Sequence, residues 1–204
     1  MDPPDYHRFI LLLYFCNSST SVDMQLIFRK ERPFIEMFQI KKGSDIIKLG
    51  AWCLMPNHFH ILIKESVEGG ISLFMKKLST GYAMYFNKKY KRSGVLFQGN
   101  FKSEHANTDK YLKYLYSYIH LNPVKLIPGE SKWKQLGIKN LKLAEKFLIG
   151  YEYSSLNAYI SKPKNIYSSI IDKKQFPDYF PDQASVKKEL VEWFQFAKDG
   201  PSQV

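Results

Sequence analysis

The sequence predicts an α+β fold in which helices pack on an antiparallel sheet, and three observations carry that prediction. Two short β-prone apolar runs, residues 46–54 and 57–64, flank Met55-Pro56 and read as a hairpin. Residues 72–90, and the stretch leading to Pro123, space their apolar residues at helical period instead. Beyond Pro128 the chain is Lys-rich and weakly patterned until a helix over 184–196, which gives a helical C-terminal extension.

Residues 5–16 read as the first helix, followed by the polar loop Asn17-Ser18-Ser19-Thr20-Ser21 and a further helical stretch near 32–42. In the second strand of the hairpin, a side-chain period of two puts His58 and His60 on one face, while Phe59, Ile61 and Ile63 face a core. Gly69-Gly70 supplies a turn, residues 72–90 an amphipathic helix, and residues 94–102 a strand. In the helix before Pro123, Asn107 or Thr108 can cap the start and Asp109 suits the positive end of the dipole. Leu112, Leu115, Ile119 and Tyr116 form its apolar stripe, and Pro123 disfavours helical geometry at Asn122. Residues 1–127 are expected to form a catalytic domain and 128–204 a mostly helical extension, with no internal repeat.

Two imidazoles side by side are a natural start for a divalent-metal site, although a His-x-His pair alone is a weak signal. On the later helix Tyr111, Tyr114 and Tyr118 recur at i, i+3 and i+7, and Asn122 follows Tyr118 by four, so one face carries a phenol beside an amide. Such a stripe is also what core packing looks like. Of the formal charge of +11, residues 76–125 hold ten Lys/Arg against two acids, a net of +8. Lys88, Lys89, Lys91 and Arg92, interleaved with Tyr82, Tyr85, Phe86 and Tyr90, are candidate phosphate contacts beside stacking surfaces, with Lys102 and Lys125 flanking them. Cys16 and Cys53 lack metal or redox spacing and read as reduced, inert thiols. The apolar run 9–16 is too short to span a bilayer and no signal peptide is evident, so cytoplasmic residence with no membrane partner is expected.

The ordered motifs resemble the single-tyrosine HUH transposase family, which includes insertion-sequence and REP-associated tyrosine transposases. Met55-Pro56-Asn57-His58-Phe59-His60 matches its hallmark strand, and Tyr118 through Val124 matches its Tyr-Ile-x-x-Asn-Pro-Val helix. Gly94-Val95-Leu96-Phe97-Gln98-Gly99 is similar to its Phe-Gln-Gly strand, and Tyr153-Ser154-Ser155 with Tyr159 to its aromatic-Ser-Ser-x-x-x-Tyr segment. The resemblance spans about residues 5–160 and implies a ferredoxin-like (RRM-like) HUH core. It implies that His58, His60 and Asn122 hold Mg2+ or Mn2+ and that Tyr118 is the nucleophile. DNA would be cleaved and rejoined as single strands, flanked by hairpins, through a 5′-phosphotyrosine, by a chain that is a monomer or a homodimer.

Two departures mark the resemblance. The family begins with a strand for which this chain has no residues before the helix opening at Asp5, so a central strand is expected to be missing and the sheet's backbone groups to be unpaired or solvated, and Asn100 stands where Arg is common. Three functions are therefore carried forward: an active strand transferase, a domesticated or decayed single-stranded DNA-binding protein, and a metal-dependent nuclease that uses water in place of Tyr118.

Overall fold

The computed structural model describes residues 2–28, 32–160 and 166–198. These fall into two compact units, one from residues 1–49, 63–105 and 169–172, the other from 50–62, 106–168 and 173–204. The α+β class is observed, with an antiparallel sheet of two strands among the described residues.

In the first unit, α1 (Pro3–Cys16) starts two residues before the expected helix, because Asp2 caps it. Asp2 accepts the Asp5 N–H at 3.1 Å while Asp5 accepts the Asp2 N–H at 3.0 Å, and proline at the first position loses no hydrogen bond there. The helical stretch expected near 32–42 shrinks to α3 (Phe34–Met37), preceded by the short α2 (Met24–Phe28). Asn17, just past α1, fixes the start of the first strand by accepting the N–H groups of Ile46 (2.9 Å) and Ile47 (3.0 Å).

The hairpin forms as expected from β1 (Ile47–Leu54) and β2 (Phe59–Glu65), its tip (50–62) belonging to the second unit. The face expected to enter a core differs. Leu62, in register with the histidines, is the buried residue of β2, whereas Phe59, Ile61 and Ile63 are half-buried.

Helix α4 (Gly70–Lys89) packs on α1 through buried Phe74, Leu78 and Tyr82, with Tyr82 edge-on to Phe9 at 4.9 Å. It must start at glycine, since a Cβ at Gly70 would collide with the Ile46 carbonyl oxygen. The strand expected over residues 94–102, all of them described, does not form. Gly94 and Gly99 take φ of 87° and 69°, which breaks an extended run, and Val95 is 89% exposed.

In the second unit, α5 (Asp109–Leu121) is capped by Thr108, which accepts the Tyr111 N–H at 3.2 Å. Its buried residues are Tyr116, Ser117, Ile119, His120 and Leu121, so the stripe drawn through Leu112 and Leu115 is corrected: both are only half-buried. Tyr116 is enclosed by the rings of Tyr159, Tyr179 and Phe180, which draws the C-terminal half of α5 inwards. Asn122 keeps helical geometry (φ −54°, ψ −37°) despite preceding Pro123, because the chain passes into a 3-10 turn, Asn122–Leu126, that needs no proline N–H.

The segment thought weakly patterned folds as α6 (Trp133–Leu136), α7 (Leu141–Gly150) and α8 (Leu156–Ile160), before the expected last helix, α9 (Gln183–Lys198). Glu189 of α9 binds α5 twice, taking the Ser117 hydroxyl at 2.9 Å and the Lys113 ammonium at 2.9 Å.

The edge of β1 away from β2 is not bare. Leu54 N–H donates to the Tyr153 carbonyl (2.9 Å), and the Ser155 N–H donates to the Trp52 carbonyl (2.9 Å). The Trp52 N–H donates to Ser155 Oγ (2.9 Å), while the hydroxyls of Tyr151 and Tyr159 donate to the carbonyls of Leu54 (2.6 Å) and Gly50 (2.5 Å). A strap over residues 151–159 thus supplies the partners expected to be missing, and it is the segment noted in the sequence as aromatic-Ser-Ser-x-x-x-Tyr.

Candidate active site

Four of the residues singled out in the sequence lie in the second unit: His58, His60, Tyr118 and Asn122. The hairpin loop is closed by the Met55 N–H donating to the His58 carbonyl at 2.8 Å, and Asn57 Oδ1 lies 2.7 Å from His58 Nδ1. The rings of His58 and His60 meet edge to face at 5.0 Å, so the two share a side although His58 precedes the strand.

Tyr118, half-buried, brings its ring to 5.2 Å from that of His60. The phenol ring of α5 and the His60 imidazole of the hairpin therefore meet. Asn122 follows one helical turn later, fully buried, and both atoms of its amide lack hydrogen-bond partners. His60 Nε2 is likewise buried and unpartnered. Unsatisfied buried polar atoms are costly, of order 1–3 kcal/mol each, and an arrangement that retains them on a metal-ligand residue type fits a site meant for a cation.

The protonation states fit too. Burial, the neighbouring His58 and the ammonium groups of Lys125 and Lys134 push the His60 imidazole down to about 4. Burial and Lys125 depress His58 as well. Neutral imidazoles are the ligating form. Among the described residues no three His, Cys, Asp or Glu side chains converge, so a cation beside His58 and His60 would need a further donor of another type.

Sequence reasoning named Lys125 as a candidate phosphate contact but missed Lys134 and Trp133 as neighbours of Tyr118. Lys134 Nζ lies 4.2 Å over its ring and Lys125 Nζ 5.7 Å away, while Trp133, buried, stacks against it at 6.4 Å. Nothing local marks Lys134 among the many lysines of the last third; only the fold brings it to the phenol. His120 is fully buried and bonded through Nε2 to Ser155 Oγ at 2.7 Å, which fastens the helix bearing Tyr118 to the strap on β1. Tyr111 and Tyr114 continue the Tyr118 face with ring planes within 10° and 2° of their neighbours, and Tyr116 alone of the four enters the core.

The remaining candidate contacts lie in the first unit. Lys88, Lys91, Arg92 and Lys102 are exposed, whereas Lys89 is held at 2.7 Å by Asp2 and by the fully buried Asp5. Asp5 also accepts the hydroxyls of Tyr85 (3.0 Å) and Tyr90 (2.8 Å). Burial would raise its carboxyl, but Lys89, Tyr90, the Asp2 backbone and Tyr85 outweigh this and hold it at about 2. Lys89 is thus the counter-ion of a buried carboxylate, which corrects its reading as a free phosphate contact. Both cysteines are buried and unbridged, and burial raises both thiols, Cys16 to about 11, consistent with inert side chains. No described helix is long and apolar enough to cross a membrane.

Compared with known families, residues 25–122 match the family model described as "Transposase IS200 like", a span holding His58, His60, Tyr118 and Asn122 and ending at the last of them. No curated protein and no solved structure gives a significant match.

Proposed function

From the match of residues 25–122 to the IS200-like transposase family model, we propose that the chain is a strand transferase that cleaves and rejoins single-stranded DNA through Tyr118. The observation that carries this reading is the approach of the Tyr118 ring to His60, whose Nε2 is buried without a partner. In this reading the Tyr118 oxygen attacks a backbone phosphorus and its proton passes to solvent. The new bond joins phosphorus to the phenol oxygen, the bond to the 3′ oxygen breaks, and that oxygen leaves as a 3′-hydroxyl after taking a proton. A different 3′-hydroxyl reverses the step and joins two strands without a nucleotide triphosphate, since the phosphodiester energy is kept in the tyrosine ester.

His58, His60 and Asn122 are the residues that would hold Mg2+ or Mn2+, which when bound polarises the scissile phosphate and stabilises charge on its oxygens. The chain's own residues orient the nucleophile. His120 and Ser155 fasten α5 to the strap, Tyr116 anchors the helix in the core, and Trp133 backs the Tyr118 ring. Residues 1–127 act in this reading as the catalytic domain, and the extension 128–204 contributes Trp133, Lys134 and Ser155. Single strands flanked by hairpins are the proposed substrate, because an attacking phenol needs an unpaired backbone, and homodimer formation belongs to the same proposal.

Incubation with Mn2+ and overlapping single strands that tile the DNA on both sides of the coding sequence should leave one strand attached through its 5′ phosphate, resistant to denaturant. Tyr118→Phe should abolish the adduct, since only a hydroxyl is lost, while Tyr111→Phe and Tyr114→Phe retain it. Cleavage persisting in Tyr118→Phe would assign the water-dependent nuclease, and binding without cleavage by the unaltered chain would assign the DNA-binding protein.

A further inference from the structure

We infer that Lys134, together with Lys125, is the clamp that holds the scissile phosphodiester of single-stranded DNA against the Tyr118 hydroxyl. This rests on the reading of Tyr118 as the nucleophile and adds to it a residue beyond the span matched by the transposase family. Lys134 Nζ sits 4.2 Å over the Tyr118 ring and 5.9 Å over that of Tyr114, and Lys125 Nζ approaches Tyr118 to 5.7 Å. Both lysines are half-buried. Neither has an ion-pair or hydrogen-bond partner among the described residues, although Lys113 and Lys188 in the same unit find Glu189 and Glu192.

Two like charges converging on one phenol, partly withdrawn from water and without a carboxylate, repel each other, and ring faces compensate them only weakly. An anion seated between them removes that cost. The anion must carry at least two accessible oxygens and be able to lie beside the Tyr118 hydroxyl, which describes the non-bridging oxygens of a phosphodiester. Trp133, buried next to Lys134 in the chain, fixes the root of its helix and restricts where the ammonium can swing. The helical turn Asn122–Leu126 does the same for Lys125.

The test compares Lys134→Gln, Lys125→Gln and Lys134→Arg with the unaltered chain, each confirmed folded by circular dichroism. Binding to oligo(dT) across a salt series is read first. Each Gln variant should lower the salt-dependence slope by about 0.7, and Lys134→Arg should keep it. Single-turnover adduct formation on the strand found by tiling is read second, where Lys134→Gln should slow the step about a hundredfold with affinity changed only severalfold, and Lys134→Arg should recover most of it. Unchanged slopes in both Gln variants, or an adduct rate within about twofold of the unaltered chain, overturn the clamp. If the unaltered chain forms no adduct while the slopes fall as expected, the phosphate contact stands and the phosphotyrosine reading fails, so the two are separable.

Discussion

Acidification should loosen the second unit through one buried residue, His120. Its side chain is 0% exposed, and burial pushes the imidazole down to about 3 against the opposing pull of the Tyr116 backbone. In an unfolded chain a histidine titrates near ~6.5. The unfolded state therefore takes up a proton below that value while the folded state does not. The stabilisation is complete above about pH 6.5 and drains away as the pH falls from there towards about 3. At about pH 5 the gap is about 1.5 pH units, which at ~1.4 kcal/mol per unit amounts to about 2 kcal/mol. Urea unfolding followed by tryptophan fluorescence suits the purpose, because Trp52 and Trp133 are both buried in this unit. Between about pH 8 and about pH 5 the unaltered chain should lose about 2 kcal/mol more than His120→Gln. In a histidine-labelled NMR spectrum, the resonance missing from His120→Gln should stay at its neutral position down to about pH 5. A His120 resonance with a midpoint near ~6.5, or equal pH dependence in the two chains, would refute burial as the source of the effect.

Two further outcomes follow from other parts of the molecule. Replacing exposed Lys88, Lys91 and Arg92 with Gln should flatten the salt dependence of oligo(dT) affinity by about 0.7 per contact, whereas Lys89→Gln should leave the slope and lower the melting temperature, because it strands the buried Asp5 carboxylate. His60→Ala should weaken Mn2+ binding, measured by calorimetry, by about tenfold or more while oligo(dT) affinity changes little; unaltered Mn2+ affinity would remove His60 from the metal site.

What could be read from the sequence was what is written locally. The helical run of α1, the apolar period of α4 and the Met55-Pro56 hairpin each lie within one stretch of chain, and the structure keeps them close to where the pattern put them, although the capping pair Asp2 and Asp5 sets the start of α1 two residues earlier. The rapprochement of Tyr118 and His60 followed from family resemblance rather than from any local signal. Elsewhere a β-prone composition misled: residues 94–102 hold Val95, Leu96, Phe97 and Phe101, but the left-handed glycines decide the backbone. Helix α7 was missed among lysines although Asn140, which accepts the Leu143 N–H at 3.0 Å, is an ordinary start signal. The partners of β1, and the lysine over Tyr118, are non-local, and no periodicity encodes them.

The strap across β1 also bears on when the geometry proposed for catalysis can exist. Trp52 meets Ser155 and Gly50 meets Tyr159 across separations of 103 and 109 residues. A ribosome delivers the hairpin, the histidines and Tyr118 well before it delivers those partners. Until residues 151–159 emerge, the outer edge of β1 has none of them and His120 has no hydroxyl to hold, so α5 cannot be fastened beside the hairpin. Pairings of such span form late and slowly. A nascent chain, or one broken off after Val124, would carry the paired histidines and the helix of Tyr118 without the contacts of the strap, so on the proposed reading the phenol would stay idle until translation has passed residues 151–159.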